Sequence, residues 1–155
     1  MVKKQIVYLH GLESKQGGPK VDFLATQGFV YAPAIDYENF TYNDFYDLLF
    51  QVDEDTLIIG SSAGGYLTDI IASHKGCTAL LFNPALHSRS LKIDPDIKYG
   101  YSYVDKIVVL GEEDKIIDPI TTKAMLDGTE RVEMIEKMGH QTPLDIFVDI
   151  YNKYF

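Results

Sequence analysis

The sequence predicts an α/β protein, a three-layer α/β/α sandwich built on a six-stranded, mostly parallel sheet. Three observations point there. Short apolar runs alternate with amphipathic segments of helical period along the chain, the order expected of a parallel sheet with helices on both faces. The runs are mostly continuous, as in strands buried on both sides, rather than alternating. Thr56 to Ile71, TLIIGSSAGGYLTDII, passes from an apolar run through Gly60-Ser61-Ser62-Ala63-Gly64 into a helical pattern, a strand, sharp turn and helix in succession.

Each element has its own signal. Gln5 to Leu9 (QIVYL) is the first strand and ends in His10-Gly11-Leu12-Glu13-Ser14. In GGPKVDFLATQG, Pro19 marks a helix start, Val21, Leu24 and Ala25 fall at helical spacing, and Gly28 is the stop. Phe29 to Pro33 is the second strand. Phe45, Leu48, Leu49 and Val52 repeat at i, i+3, i+4 and i+7, an amphipathic helix. TLIIG is the third strand. Leu67, Ile70 and Ile71 give the helix after it a buried face, and Gly76 ends it. CTALLFNP is the fourth strand. Residues 85–103, with Pro95, Gly100, Tyr99, Tyr101 and Tyr103, break the rhythm and read as a loop or small cap over one sheet edge. KIVVLGEED is the fifth strand with its exit turn. Asp118 and Pro119 open a helix as N-cap and first residue, which ends near Gly128. RVEMIE is the sixth strand. Thr142-Pro143-Leu144-Asp145 is a variant capping box opening a last helix with Leu144, Phe147, Val148 and Tyr151 on one face. Right-handed crossovers are expected. The 155 residues suit one domain, residues 1–155, with 85–103 as its insertion.

Composition narrows the function. A hydrophobic fraction of 46% and a charged fraction of 24% suit a globular protein. The net charge of −9 argues against nucleic acid, whose phosphates demand clustered Lys and Arg, and against an anionic membrane surface. Cys77 is the one cysteine, so no intrachain disulfide can form, and it reads as a buried apolar residue rather than a nucleophile. Lys3 and Lys4 are followed by too short an apolar stretch for a signal peptide, and no run has the length of a membrane span. The expected location is the cytoplasm.

In a parallel sheet functional groups collect at the carboxyl ends of the strands. The first strand here ends in His10-Gly11-Leu12, the third in Ser62, the fifth in Glu112-Glu113-Asp114, and the sixth is followed by Gly139-His140. Taken alone, Gly-x-Ser-x-Gly equally describes a glycine-rich turn that cradles a phosphate. With the others it gives the order Ser62, Asp114, His140, that of a nucleophile elbow with its acid and base. Ser62 needs a base to take its proton, a role that suits an imidazole, and His140 is the candidate. Asp114 would hold the imidazole tautomer and stabilise the imidazolium. Glu112, Glu113 and Asp118 compete for that role. The two glutamates read as solvated turn charges and Asp118 as an N-cap, while Asp114 lies where the turn still points back at the site. The backbone N–H groups of Ala63 and Leu12 are the candidate oxyanion donors, each worth about 3 kcal/mol to the transition state. His10 reads as structural, shaping the loop that carries Leu12. His74 and His87 read as surface residues. Lys15 and Lys20 flank that loop and either greet an acidic substrate group or are simply solvated. Leu86, Leu91 and the tyrosines at 99, 101 and 103 either line an acyl pocket, with Leu86 and Tyr99 as substrate-binding candidates, or pack the cap onto the sheet.

These residues resemble those of small α/β-hydrolases, and among them the YqiA-type bacterial esterases. The matching stretches are YLHGLES, GSSAGGY, FNPAL, GEEDKIID and the Gly-His pair at 139–140, spread from Tyr8 to His140. The resemblance implies a minimal α/β-hydrolase fold with a six-stranded core lacking the N-terminal hairpin of larger hydrolases. It implies esterase activity on acyl esters or thioesters and carries Ser62, Asp114 and His140 over as the triad. The chain is shorter than usual members between Pro84 and Tyr103, the region that shapes the acyl pocket. A small-molecule ester or thioester is the expected partner. No metal or organic cofactor is expected, since no Cys/His cluster has ligand spacing and no glycine pattern fits a dinucleotide fingerprint. An acyltransferase or peptidase using the same three residues, and a binding protein on the same fold, remain the alternatives.

Overall fold

The structure is a computed structural model describing residues 3–12, 14–87, 91 and 104–155. Six strands form one parallel sheet: β1 (Lys4–Leu9), β2 (Gly28–Tyr31), β3 (Leu57–Ser61), β4 (Thr78–Phe82), β5 (Lys106–Gly111) and β6 (Arg131–Ile135). They lie in the order β2-β1-β3-β4-β5-β6, every neighbouring pair parallel. The chain winds outward from β1 to β2 and then from β3 to β6, so the order reverses between β1 and β3, where Leu9 pairs with Gly60. Crevices at such reversals, beyond the strand carboxyl ends, are where open α/β sheets bind ligands.

Five helices cover the sheet: α1 (Pro19–Gln27), α2 (Tyr42–Phe50), α3 (Ala63–Lys75), α4 (Pro119–Met125) and α5 (Leu144–Tyr154). Successive residues of a strand face opposite sides, and the core accordingly divides in two. Val7, Leu9, Ile58, Leu81 and Val108 pack against Phe45 and Leu48 of α2 and Leu67, Ile70 and Ile71 of α3. Ile6, Tyr8, Ile59, Phe82 and Val109 pack against Leu24 of α1 and Phe147, Ile150 and Tyr151 of α5. The central strands are therefore apolar at nearly every position, as their sequences imply.

Some details differ from the sequence reading. Gly28 does stop α1, its N–H donating to Leu24 O, but in extended rather than left-handed backbone: its φ is −167°, and it also opens β2. Glycine fits there because a Cβ would lie 2.2 Å from Lys4 O across the β1–β2 pair. Gly76 does end α3 in the left-handed region, at φ 69°. Helix α2 starts with a full capping box, Thr41 accepting from Asp44 N and Asp44 from Thr41 N. Asp118 caps α4 as expected, accepting from Thr121 N at 3.0 Å. The box expected at Thr142 does not form. Pro143 is the N-cap, and Thr142 is buried with its hydroxyl unpartnered among the described residues. Helix α5 is also rotated from expectation: Leu144 is 41% exposed and Ile150 is buried in its stead. His74 is half-buried, its ring edge against Phe45. Cys77 is buried, and burial pushes its thiol up to about 11, which suits an inert core residue. Residues 88–90 and 92–103, which contain most of the expected cap and Tyr99, Tyr101 and Tyr103, lie outside the described residues. No helix among the described residues is long and apolar enough to cross a membrane.

Candidate active site

Ser62 joins β3 to α3 with φ 56° and ψ −117°, a sparsely populated positive-φ conformation that a non-glycine residue adopts at a cost of about 1–3 kcal/mol. The surroundings enforce it. Ser62 N donates to Phe82 O at 3.0 Å, and Ser62 O accepts from Tyr66 N at 3.1 Å and Ala85 N at 2.9 Å. The glycines around it are set by close approach. A Cβ on Gly60 would lie 2.3 Å from Gly64 O, and one on Gly64 would lie 2.1 Å from Leu9 O. A Cβ on Gly65 would meet Pro84 at 2.9 Å. The N-terminus of α3 is thus pressed onto the ends of β1 and β4. Gly64→Ala is expected to cost about 3 kcal/mol or more of stability, read as a drop in the denaturant midpoint. A midpoint within experimental error of the wild type would refute that close approach.

His140 sits in the loop between β6 and α5. Its Nε2 is 3.1 Å from Ser62 Oγ, and its Nδ1 is 2.9 Å from Asp114 Oδ2. The Asp114 side chain is fully buried, and its other oxygen accepts from Ile116 N at 2.9 Å and Ile117 N at 3.0 Å. Such a carboxylate is oriented on both oxygens, one held by the turn and one left for the imidazole. Glu112 and Glu113 are exposed.

Ala63 is the first residue of α3, and Leu12 lies in the loop after β1. Neither N–H has a backbone partner among the described residues. His10 anchors that loop. Ile35 N donates to its Nε2 at 2.9 Å, so the proton sits on Nδ1, which donates to Gly11 O at 2.8 Å. The Tyr37 hydroxyl donates to His10 O, and its ring meets the imidazole edge-on at 5.8 Å. A recess of about 160 Å³ opens over Ser62, lined by Gly11, Leu12, Ser14, Ile116, His140 and Gln141 with the elbow serines. Leu86 does not line it and packs instead against the α2/α3 side of the core. Among the described residues no three His, Cys, Asp or Glu side chains are grouped to hold a metal ion.

Asn83 is the residue that sequence reasoning missed. It follows β4 with φ 42° and is buried. Its Oδ1 accepts from Gly111 N at 2.8 Å, and its Nδ2 donates to Gly139 O at 3.1 Å and His140 O at 2.9 Å. One amide thereby ties β4, the end of β5 and the backbone of His140 together. A Cβ on Gly111 would lie 2.5 Å from Gly139 O, so the same loop is pressed onto β5. The signal was Asn-Pro directly after a strand, where Asn tolerates positive φ.

An all-parallel sheet of this order, with a serine at the turn from its third strand into a helix, is an α/β-hydrolase fold. The chain belongs to the Uncharacterised protein family UPF0227, whose model matches residues 5–116 and so spans β1 to β5 with Ser62 and Asp114. Among solved structures, a Xanthomonas campestris pv. campestris protein placed in the alpha/beta hydrolase superfamily superposes with a TM-score of 0.69 at 18% identity, over 99% of both chains. The ydeN gene product of B. subtilis gives 0.69 at 16% identity over 98% of both chains. Esterase PE8 gives 0.61 at 14% identity, over 98% of this chain and 91% of that one. At these identities the likeness is one of fold. No curated protein sequence matches the chain.

Proposed function

We propose that the protein is a serine hydrolase of carboxylic esters or acyl thioesters, with Ser62, His140 and Asp114 as its triad. The observation carrying this reading is the unbroken chain from Ser62 Oγ through both nitrogens of His140 to a buried, doubly held carboxylate. Binding alone has no use for such a relay. Ser62 Oγ attacks the acyl carbon while His140 Nε2 takes its proton. The carbonyl oxygen becomes an oxyanion facing the N–H groups of Ala63 and Leu12, at the positive end of α3. The intermediate collapses, and the alkoxide or thiolate leaves with the proton from His140. A water, deprotonated by the same nitrogen, then attacks the acyl-enzyme and releases the acid and free Ser62. Asp114 stabilises the imidazolium formed in each half.

Labelling of the folded protein with a fluorophosphonate, followed by peptide mapping, tests the reading directly. The adduct is expected on Ser62, with p-nitrophenyl acetate and butyrate turned over by unlabelled protein only. A folded protein that neither labels nor hydrolyses either ester would sink it. Asn83 acts here as a positioning residue. Asn83→Gly keeps the positive φ and removes the amide, so it is expected to lower kcat about 100-fold while leaving KM nearly unchanged. Equal losses in both, or none, would show that the amide serves folding alone.

A further inference from the structure

A second recess, of about 410 Å³, adjoins the first and shares Ser14 with it. Its wall includes Tyr8, Lys15, Gly17, Gly18 and Lys20, at the start of α1. Several features there are unfavourable for an empty site. Gly18 is the N-cap of α1 and offers no side-chain acceptor, so the first-turn N–H groups of the helix have no cap. Gly17 and Gly18 both have positive φ, at 84° and 99°, and a side chain at either would meet nothing within 4 Å. Lys20 adds a half-buried ammonium to the helix end that already carries positive partial charge. It lies over the Phe147 ring at 5.6 Å and has no ion pair among the described residues. Loss of solvent lowers its pKa, the mark of an uncompensated cation. Tyr8 is the independent observation. It is 8% exposed, lines the recess, and its hydroxyl has no hydrogen bond among the described residues. Burial pushes that phenol up to about 12, so it stays a donor at neutral pH. In a protein of net charge −9, a cation, the unpartnered hydroxyl of a buried tyrosine and uncapped amides line one space, which adjoins the recess over Ser62.

We propose that this recess is an anion subsite, in which Tyr8, Lys20 and the first-turn amides of α1 receive a phosphoryl or carboxylate group carried by the substrate whose acyl carbon lies at Ser62. The assignment of that anion to a substrate rests on the hydrolase reading. The existence of the subsite does not. The chemistry singles out esters or thioesters of a phosphorylated or carboxylated alcohol or thiol, over neutral esters of the same acid.

A matched pair of substrates tests it: 1-acetylglycerol, which is neutral, and 1-acetylglycerol 3-phosphate. The phosphorylated ester is expected to have about tenfold higher kcat/KM, the scale of a charge-assisted contact. Lys20→Gln is expected to bring the ratio of the two close to one, and Tyr8→Phe to lower it severalfold while keeping the core ring. In parallel, inorganic phosphate should raise the melting temperature of the wild type over chloride at equal ionic strength, but not that of Lys20→Gln. A ratio near one in a wild type that hydrolyses both esters would overturn the substrate assignment and leave the hydrolase intact. Phosphate stabilisation that is absent, or equal in both proteins, would overturn the subsite. If neither ester is hydrolysed and Ser62 does not label, the hydrolase reading fails, and the phosphate melts alone still decide the subsite. Phosphate stabilisation through Lys20 with no ester preference would mean a free anion occupies the recess, refuting the substrate assignment.

Discussion

Ser62→Ala is expected to lower kcat for p-nitrophenyl acetate by about 10⁶-fold, leaving the residue that oxyanion donors and binding alone supply. Fluorophosphonate labelling should vanish with it. The fold should survive, because alanine removes only Oγ and the elbow is held by backbone bonds from Phe82, Tyr66 and Ala85. Ser61 is the control. It is the last residue of β3 and pairs with Phe82, so Ser61→Ala should still label. A folded Ser62→Ala that keeps turnover would remove Ser62 from the chemistry. The elbow also predicts a trade of stability against function. At φ 56° the serine is strained, and Ser62→Gly relieves that strain at the cost of extra freedom in the unfolded chain. The net gain is expected to be about 1 kcal/mol, or roughly 2–4 °C in melting temperature for a domain of this size. A lower melting temperature would mean that the conformation at Ser62 carries no strain.

The fold was legible because each layer leaves a period in the sequence. Continuous apolar runs such as IVYL and ALLF have no polar side to show, which only a strand covered on both faces allows. What was not legible depends on contacts between elements. Gly28 does stop α1, yet the need for glycine there comes from Lys4 O, on a strand far away in sequence. Leu144 looked buried by period, but α5 is turned so that Ile150 fills that place. Periodicity gives the width of an apolar face and not its rotation when candidates outnumber the buried positions.

The groups brought together at the site follow the same division. Ser62, Asp114 and His140 announce themselves by type and order, and the structure brings them into one chain of contacts. Asn83 carries no such mark. Its role exists only once β4, β5 and the His140 loop are adjacent, since its partners are Gly111, Gly139 and His140. The repeated glycine at 64–65 belongs to the same class, because its meaning lies in Leu9 O and Pro84. Tyr8 reads as an ordinary strand aromatic until the recess beside its hydroxyl is seen.

Asp114→Asn should be the most informative single change after Ser62→Ala, because the turn dictates how the new amide must lie. Ile116 and Ile117 both donate to Oδ1. An asparagine keeps those two bonds only by placing its oxygen there, which turns its NH₂ toward His140 Nδ1. That nitrogen must then accept, so the imidazole proton moves to Nε2, and Nε2 can no longer take the proton of Ser62. The expected result is a loss of about 10⁴-fold in kcat with the melting temperature little changed, since shape and both turn bonds are retained. Asp114→Ala removes the carboxylate without imposing the wrong tautomer. It should therefore be no less active than Asn, and less stable, because Ile116 and Ile117 lose their acceptor. An Asn variant within about tenfold of wild type in kcat would place Asp114 outside the mechanism, as a turn-forming residue only. The reverse order, Asn clearly more active than Ala, would mean that His140 needs only a polar neighbour, and that its tautomer is fixed from elsewhere.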